Sequence, residues 1–158
     1  MGRGVFLVLA WLTVVSWAQG FPERDDAQGG IPFEVNRSFG SILIKAQVNG
    51  QPATLVVDTG SSHTILSGEL LRVRPLALQQ APAPERGSGL VGSAGWAKAN
   101  LEIGAMTWKD RRVLVMDDFQ DLSNSMKHRV DGIIGEDVLK EFNSVVIDFQ
   151  HRRLLLLR

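Results

Sequence analysis

Asp58-Thr59-Gly60-Ser61-Ser62 follows directly on the apolar run Leu55-Val56-Val57. A carboxylate placed where an apolar strand ends can take a proton from water or hold one for a substrate. Burying an ionised group costs several kcal/mol unless partners compensate it, so such a placement calls for a reason. The plain alternative is a turn residue that caps the strand, with Thr59 and Gly60 completing the turn. The bare triplet does not decide, since Asp-Thr-Gly arises by chance in roughly a few per cent of chains this long. Its surroundings carry more. Far downstream stands Asp131-Gly132-Ile133-Ile134-Gly135, a second apolar-apolar-glycine signal, with Val138, Leu139 and Phe142 at helical spacing behind it.

Other chemistries find less support. The chain has no cysteine, which removes disulfides, thiolate metal sites and a thiol nucleophile. His63, His128 and His151 are scattered without metal-type spacing, so no metal site is expected. His63 is close enough in sequence to Asp58 to line a cleft, although surface or core packing is the simpler reading. Ser61 and Ser62 lack a Gly-x-Ser-x-Gly elbow, which weakens a serine hydrolase reading. Asp117, Asp118 and Asp121 read as a solvated charge run, without the ordered ligands and glycine of a calcium loop. Asp131 reads as a turn leading into a strand, because no Thr/Ser-Gly follows it. Asn36-Arg37-Ser38 is a glycosylation sequon, meaningful only in a eukaryotic source. Trp96 and Trp108 read as packing residues.

The elements that must position Asp58 are mostly strands. Of 158 residues, 44% are apolar, and 17 Lys and Arg balance 17 Asp and Glu. That is enough for the core of one domain, with no basic face for nucleic acid. Arg3, the apolar stretch Val5 to Val15 and Ser16-Trp17-Ala18 read as a signal peptide over residues 1–18. The apolar stretch is shorter than the roughly 20 residues of a membrane span. The expectation is therefore export, to a periplasm or the medium, with no membrane span after cleavage. Residues 19–30 read as a loose leader, and 31–158 as the folded domain.

Ile31 to Val35 is expected as an edge strand, since it holds Pro32. Ser41 to Val48 and Ala53 to Val57 form a hairpin around Asn49-Gly50. Leu66 to Leu78 holds a turn or two of helix, and Gln79 to Gly89 a loop. Leu90 to Ala94, Trp96 to Ile103 and Thr107 to Met116 are strands, with a turn at Gly104-Ala105, and 117–127 is a polar loop. Glu136 to Phe142 is the best helix, and Ser144 to Phe149 and Leu154 to Leu157 are strands. Many short strands and one short helix in the C-terminal half predict an all-β, closed barrel-like fold.

In this order the motifs resemble the retroviral-type (retropepsin-like) single-domain aspartic proteases, particularly their exported bacterial-type relatives. The resemblance spans Ile31 to Leu157 and rests on Asp58-Thr59-Gly60 and Ile133-Ile134-Gly135. It implies that Asp58 is the catalytic residue of an aspartic endopeptidase, with Thr59, Gly60 and Ser61 completing its loop. Ile133, Ile134 and Gly135 would pack behind that loop, glycine being needed for close backbone approach. A flap hairpin within Ser88 to Trp96 would close over substrate, with Gly89, Gly92 and Gly95 giving mobility around Leu90 and Val91.

The family's reaction uses two carboxylates sharing one proton around a water. One Asp-Thr-Gly per chain then implies a homodimer in which each subunit contributes Asp58, and Thr59 bonds across the axis. The strands Val145 to Phe149 and Leu154 to Leu157 are candidates for part of that interface. The partner would be a peptide or protein substrate, bound as an added strand of roughly six to eight residues. No cofactor is implied. Many retroviral members carry alanine where this chain has Ser61, and two-lobed pepsin-like enzymes carry serine. A Ser61 hydroxyl donating to the carboxylate would lower its pKa and favour an acidic optimum. The rival readings are the same fold as an inactive peptide-binding or assembly module, and a structural β domain with an incidental Asp-Thr-Gly.

Overall fold

The computed structural model describes residues 29–72, 79–80, 94–117 and 119–158. The expected signal peptide, residues 19–28 of the leader, and Gly89, Leu90, Val91 and Gly92 of the flap lie outside them.

Pro32 marks the point where the first strand changes partner. β1 (Ile31–Val35) pairs with a C-terminal strand through Ile31 and Pro32, and with the next strand through Phe33, Glu34 and Val35. It is therefore an internal strand, not the edge strand its proline predicts. N–H groups alternate sides along a strand, and the Phe33 N–H faces the C-terminal strand, donating to Arg152. The missing N–H of Pro32 thus falls on the other side, where the next ladder has not yet begun.

β2 (Ile42–Val48) turns into β3 (Gln51–Val57) through Asn49 and Gly50, both at positive φ (49° and 75°). That is the backbone an Asn-Gly hairpin turn requires. β4 (Ile65–Ser67) leads into one helical turn, α1 (Gly68–Leu71), where the Ser67 hydroxyl accepts the Glu69 N–H. β5 (Gln79–Gln80) is a short edge strand. The long strands β6 (Ala94–Ile103) and β7 (Met106–Met116) form a hairpin around Gly104. α2 (Phe119–Met126), β8 (Gly132–Ile134), α3 (Glu136–Leu139), β9 (Ser144–Asp148) and β10 (Arg153–Leu157) complete the chain.

The pairings close on themselves. β2 joins β3, β3 runs parallel to β8, β8 joins β4, β4 runs parallel to β7, β7 joins β6, and β6 returns to β2. The result is a closed barrel, as the sequence predicts, and it is built of six strands, with β1, β10 and β9 extending its sheet. Inside it lie Ile44, Val48, Leu55, Leu66, Leu101, Ile103, Val113 and Ile134, all almost fully buried. Alternation sends Leu43, Val56, Ile65, Leu114 and Ile133 to the outer face, where they form a second cluster.

α2 covers that outer cluster, and this corrects the polar loop expected over 117–127. Phe119, Leu122 and Met126 share one helical face and pack on it, while most of the other α2 residues are exposed. Conversely, the helix expected over Glu136 to Phe142 is a single turn, ending where Lys140 caps it. No helix among the described residues is long and apolar enough to cross a membrane.

Candidate active site

Asp58 leaves the end of β3 beside β8. Its N–H donates to the Ile134 carbonyl at 3.0 Å, continuing the parallel ladder by one bond. The chain then turns sharply: the Asp58 Oδ1 accepts the Gly60 N–H at 2.8 Å, and its carbonyl accepts the Ser61 N–H at 3.3 Å. Asp58 is half-buried, Thr59 and Gly60 are exposed, and Ser61 is buried. The carboxylate thus sits at the rim of one chain, held by a backbone donor, rather than sealed in the core. A side chain on Gly60 would begin 3.2 Å from the Asp58 Oδ1 and press on the carboxylate itself.

Ser61 does not play the part its sequence position predicts. Its hydroxyl donates to the His63 carbonyl at 2.8 Å, not to Asp58. A hydroxyl has one proton to donate, so the expected acidifying bond to the carboxylate is replaced by a brace within the loop.

The residues behind the loop hold it through backbone contacts. Ile133 faces the outer cluster and Ile134 the barrel interior. The Glu136 N–H donates to the Ser61 carbonyl at 2.7 Å. Gly135 lies so close beneath the loop that a Cβ there would stand 2.4 Å from the His63 oxygen and 2.8 Å from the Ser61 oxygen. At the other end of β8, a Cβ on Gly132 would meet the Ile65 carbonyl oxygen at 2.6 Å. Gly95 is a buried residue of β6, paired with Val115.

Four residues of this region, Thr64, Arg111, Asp137 and Glu141, were not singled out by sequence reasoning. Thr64 is fully buried, accepts the Gly135 N–H at 3.3 Å and donates to the Asp137 carboxylate at 2.8 Å. Its only signal is a lone hydroxyl at the head of the apolar pair Ile65-Leu66. Asp137 in turn faces Arg111 of β7, which also bonds the Asp137 carbonyl and the Glu141 carboxylate. Trp108 donates to the second Glu141 oxygen at 2.8 Å. Partial burial pushes the Glu141 carboxyl up, but the Arg111 and Trp108 hydrogen bonds and the charges of Arg111 and Arg158 outweigh it. The net result lies below the usual carboxylate value.

Asp131 is a buried latch. Its Oδ2 accepts the Thr54 N–H at 2.9 Å, its Oδ1 accepts from Arg129 Nε at 2.7 Å, and its carbonyl accepts the Ser67 N–H. It ties the start of β8 to β3 and β4, at the end of β8 away from Asp58. His63 is exposed, with its ring edge-to-face with Trp96 at 5.2 Å, and Arg112 stacks on the same indole at 4.0 Å. Asn36 of the sequon is buried: its Nδ2 donates to the Met126 carbonyl, and its Oδ1 accepts from Ser38 and Phe39. Asp117 and Asp121 are exposed, and Asp118 lies outside the described residues.

A closed barrel carrying an Asp-Thr-Gly loop, with an Ile-Ile-Gly strand wedged beneath it, is a retropepsin-like architecture. The fold is similar to that of a retropepsin-like aspartic protease from Rickettsia conorii. The match has a TM-score of 0.56 and 24% identity, covering 82% of this chain and 90% of that one. The retroviral protease-like domain of Ddi1 from Leishmania major also matches, at TM-score 0.49 and 15% identity, over 82% of this chain and 90% of that one. EIAV protease complexed with the inhibitor HBY-793 matches at TM-score 0.43 and 19% identity, over 63% of this chain and 85% of that one. Residues 44–138 match the family model described as aspartyl protease, and the chain belongs to that family. No curated protein matches it.

Proposed function

We propose that this protein is an aspartic endopeptidase whose site is completed by the Asp58 of a second copy. The observation that carries the reading is the seating of Asp58. Its carboxylate is held by the Gly60 N–H at an exposed rim, on a loop fastened to Ile134 and Glu136 from behind. Membership of the aspartyl protease family supports the same class of chemistry.

In the proposed reaction two Asp58 carboxylates face each other across a two-fold axis. Two like charges that close cannot both ionise, so the pair holds one proton. The ionised carboxylate takes a proton from water as the water oxygen adds to the peptide carbonyl carbon. The protonated one gives its proton to the carbonyl oxygen. As the diol collapses, one of its hydroxyls gives a proton to the carboxylate now ionised and the C–N bond breaks. The leaving nitrogen takes the proton that the other carboxyl drew from water. Thr59 and Gly60, exposed in one chain, supply the face on which the second loop would dock. In this reading residues 1–18 direct export, and the substrate is an extended peptide.

Digestion of a peptide library by the protein, with Asp58→Asn as control, tests it. Cleavage that is lost in Asp58→Asn and blocked by a statine-type transition-state mimic is the expected result. A folded dimer that cleaves nothing would favour the peptide-binding or assembly reading. A strictly monomeric chain that still cleaves would overturn the shared site.

A further inference from the structure

Arg111 stands on β7, outside the Asp58 loop, yet a connected path of hydrogen bonds and one ion pair leads from it to the floor of that loop. Its guanidinium bonds the Glu141 carboxylate and the Asp137 carbonyl, and its Nη2 lies 3.6 Å from the Asp137 Oδ2. The other Asp137 oxygen accepts the Thr64 hydroxyl proton at 2.8 Å. The same Thr64 oxygen accepts the Gly135 N–H at 3.3 Å, and Gly135 presses against the carbonyls of Ser61 and His63.

Each link constrains the next. An ionised carboxylate only accepts, so Asp137 forces the Thr64 proton toward itself and leaves the hydroxyl lone pairs for Gly135. A hydroxyl without such a partner rotates freely. The Asp137 carboxylate is itself mostly buried, its side chain 17% exposed, and Arg111 holds the residue through a hydrogen bond to its carbonyl and the 3.6 Å ion pair to its Oδ2. Thr64 and Gly135 have no slack to absorb a change, because Thr64 is fully buried and Gly135 sits at closest approach.

We propose that Arg111 is a positioning residue for the Asp58 loop, acting through Asp137 and the Thr64 hydroxyl on the seat of Gly135. The proposal rests on reading Asp58 as the catalytic carboxylate. Arg111 touches no substrate in this scheme; it keeps the loop floor at the height that aligns two Asp58 groups.

The test uses the full-length chain with Arg111→Met, Arg111→Lys, Thr64→Val and the double variant Thr64→Val/Arg111→Met. The readouts are kcat and KM on a cleaved peptide, and hydrogen exchange of the Gly135 amide by NMR. Arg111→Met is expected to lower kcat about tenfold or more with KM within about twofold, since misplacement acts on alignment rather than binding. Its Gly135 amide is expected to exchange about tenfold faster. Arg111→Lys, which keeps the charge but not the fork, should lie between Met and the parent. In the Thr64→Val background, Arg111→Met should cost little further kcat, because the relay is already cut.

In an active parent, unchanged kcat in Arg111→Met overturns the proposal, as do losses that simply add in the double variant. If Arg111→Met does not fold, Arg111→Gln carries the same comparison. Cleavage that survives Asp58→Asn, or a parent that cleaves nothing, sinks the catalytic reading instead. The Gly135 exchange rate then decides the relay by itself: faster exchange supports it, and the parent's rate overturns it.

Discussion

Gly135 and His63 approach so closely that a methyl group on Gly135 would lie 2.4 Å from the His63 carbonyl oxygen and 2.5 Å from its carbon. Both obstacles are backbone, in a segment already pinned by the Ser61 hydroxyl and by the Glu136 N–H on the Ser61 carbonyl. Neither side can yield without moving the Asp58 loop. The glycine is a steric requirement of the site and not merely a turn residue.

Gly135→Ala is therefore expected to destabilise the fold by about 3 kcal/mol or more, in the upper range for overpacking, because the clash is with backbone. Urea denaturation followed by circular dichroism checks it. A loss below about 1 kcal/mol would mean that the loop relaxes freely.

Ser61→Ala removes a brace rather than a pKa-setting bond. The hydroxyl donates to the His63 carbonyl, so its loss should cost about 1 kcal/mol of stability. The pH–rate profile should keep its position. An alkaline displacement of about one pH unit would show that the hydroxyl reaches the carboxylate during catalysis.

Asp131→Ala strips the Thr54 N–H of its acceptor in a buried position, and about 2–3 kcal/mol of stability should go with it. Arg129→Ala should cost under about 1 kcal/mol, since the Arg129 side chain is 72% exposed and the pair is largely solvated on that side. Equal losses in the two variants would show that the ion pair, and not the backbone latch, is what Asp131 supplies.

Glu141 gives the fold a pH dependence of defined sign. Its folded pKa lies below the ordinary 4.5. The ionised form is thus favoured by folding, and its stabilisation is fully present above the unfolded value. It is lost as the pH falls through the folded pKa. With the Glu141 side chain 37% exposed, the contribution should stay near or below about 1 kcal/mol. Thermal unfolding of the parent and Glu141→Gln should differ at neutral pH and converge on acidification below that range. A gap that widens in acid would contradict the assignment.

Local chemistry made much of this protein legible in advance. Asn49-Gly50 names its hairpin because few other residues adopt two successive positive φ values. Period-two character in 41–48, the Asn49-Gly50 turn and the apolar run Leu55-Val56-Val57 place Asp58 at a strand end, and Gly135 announces a close backbone approach. Where reading failed, a distant partner had decided. Phe119, Leu122 and Met126 look like stray apolar residues in a polar stretch until the outer face of the barrel gives them something to cover. Pro32 looks like an edge marker until two ladders meet at it.

The residue types along the chain determined the strand rhythm, the Asp-Thr-Gly loop and the need for glycine beneath it, because these depend on backbone sterics and side-chain period. Only the tertiary structure decided where side-chain protons go. The Ser61 hydroxyl turns to His63, and Thr64 links Gly135 to Asp137 and Arg111. A hydroxyl donates to whichever acceptor folding brings within reach, and that choice is made by chain segments far apart in sequence.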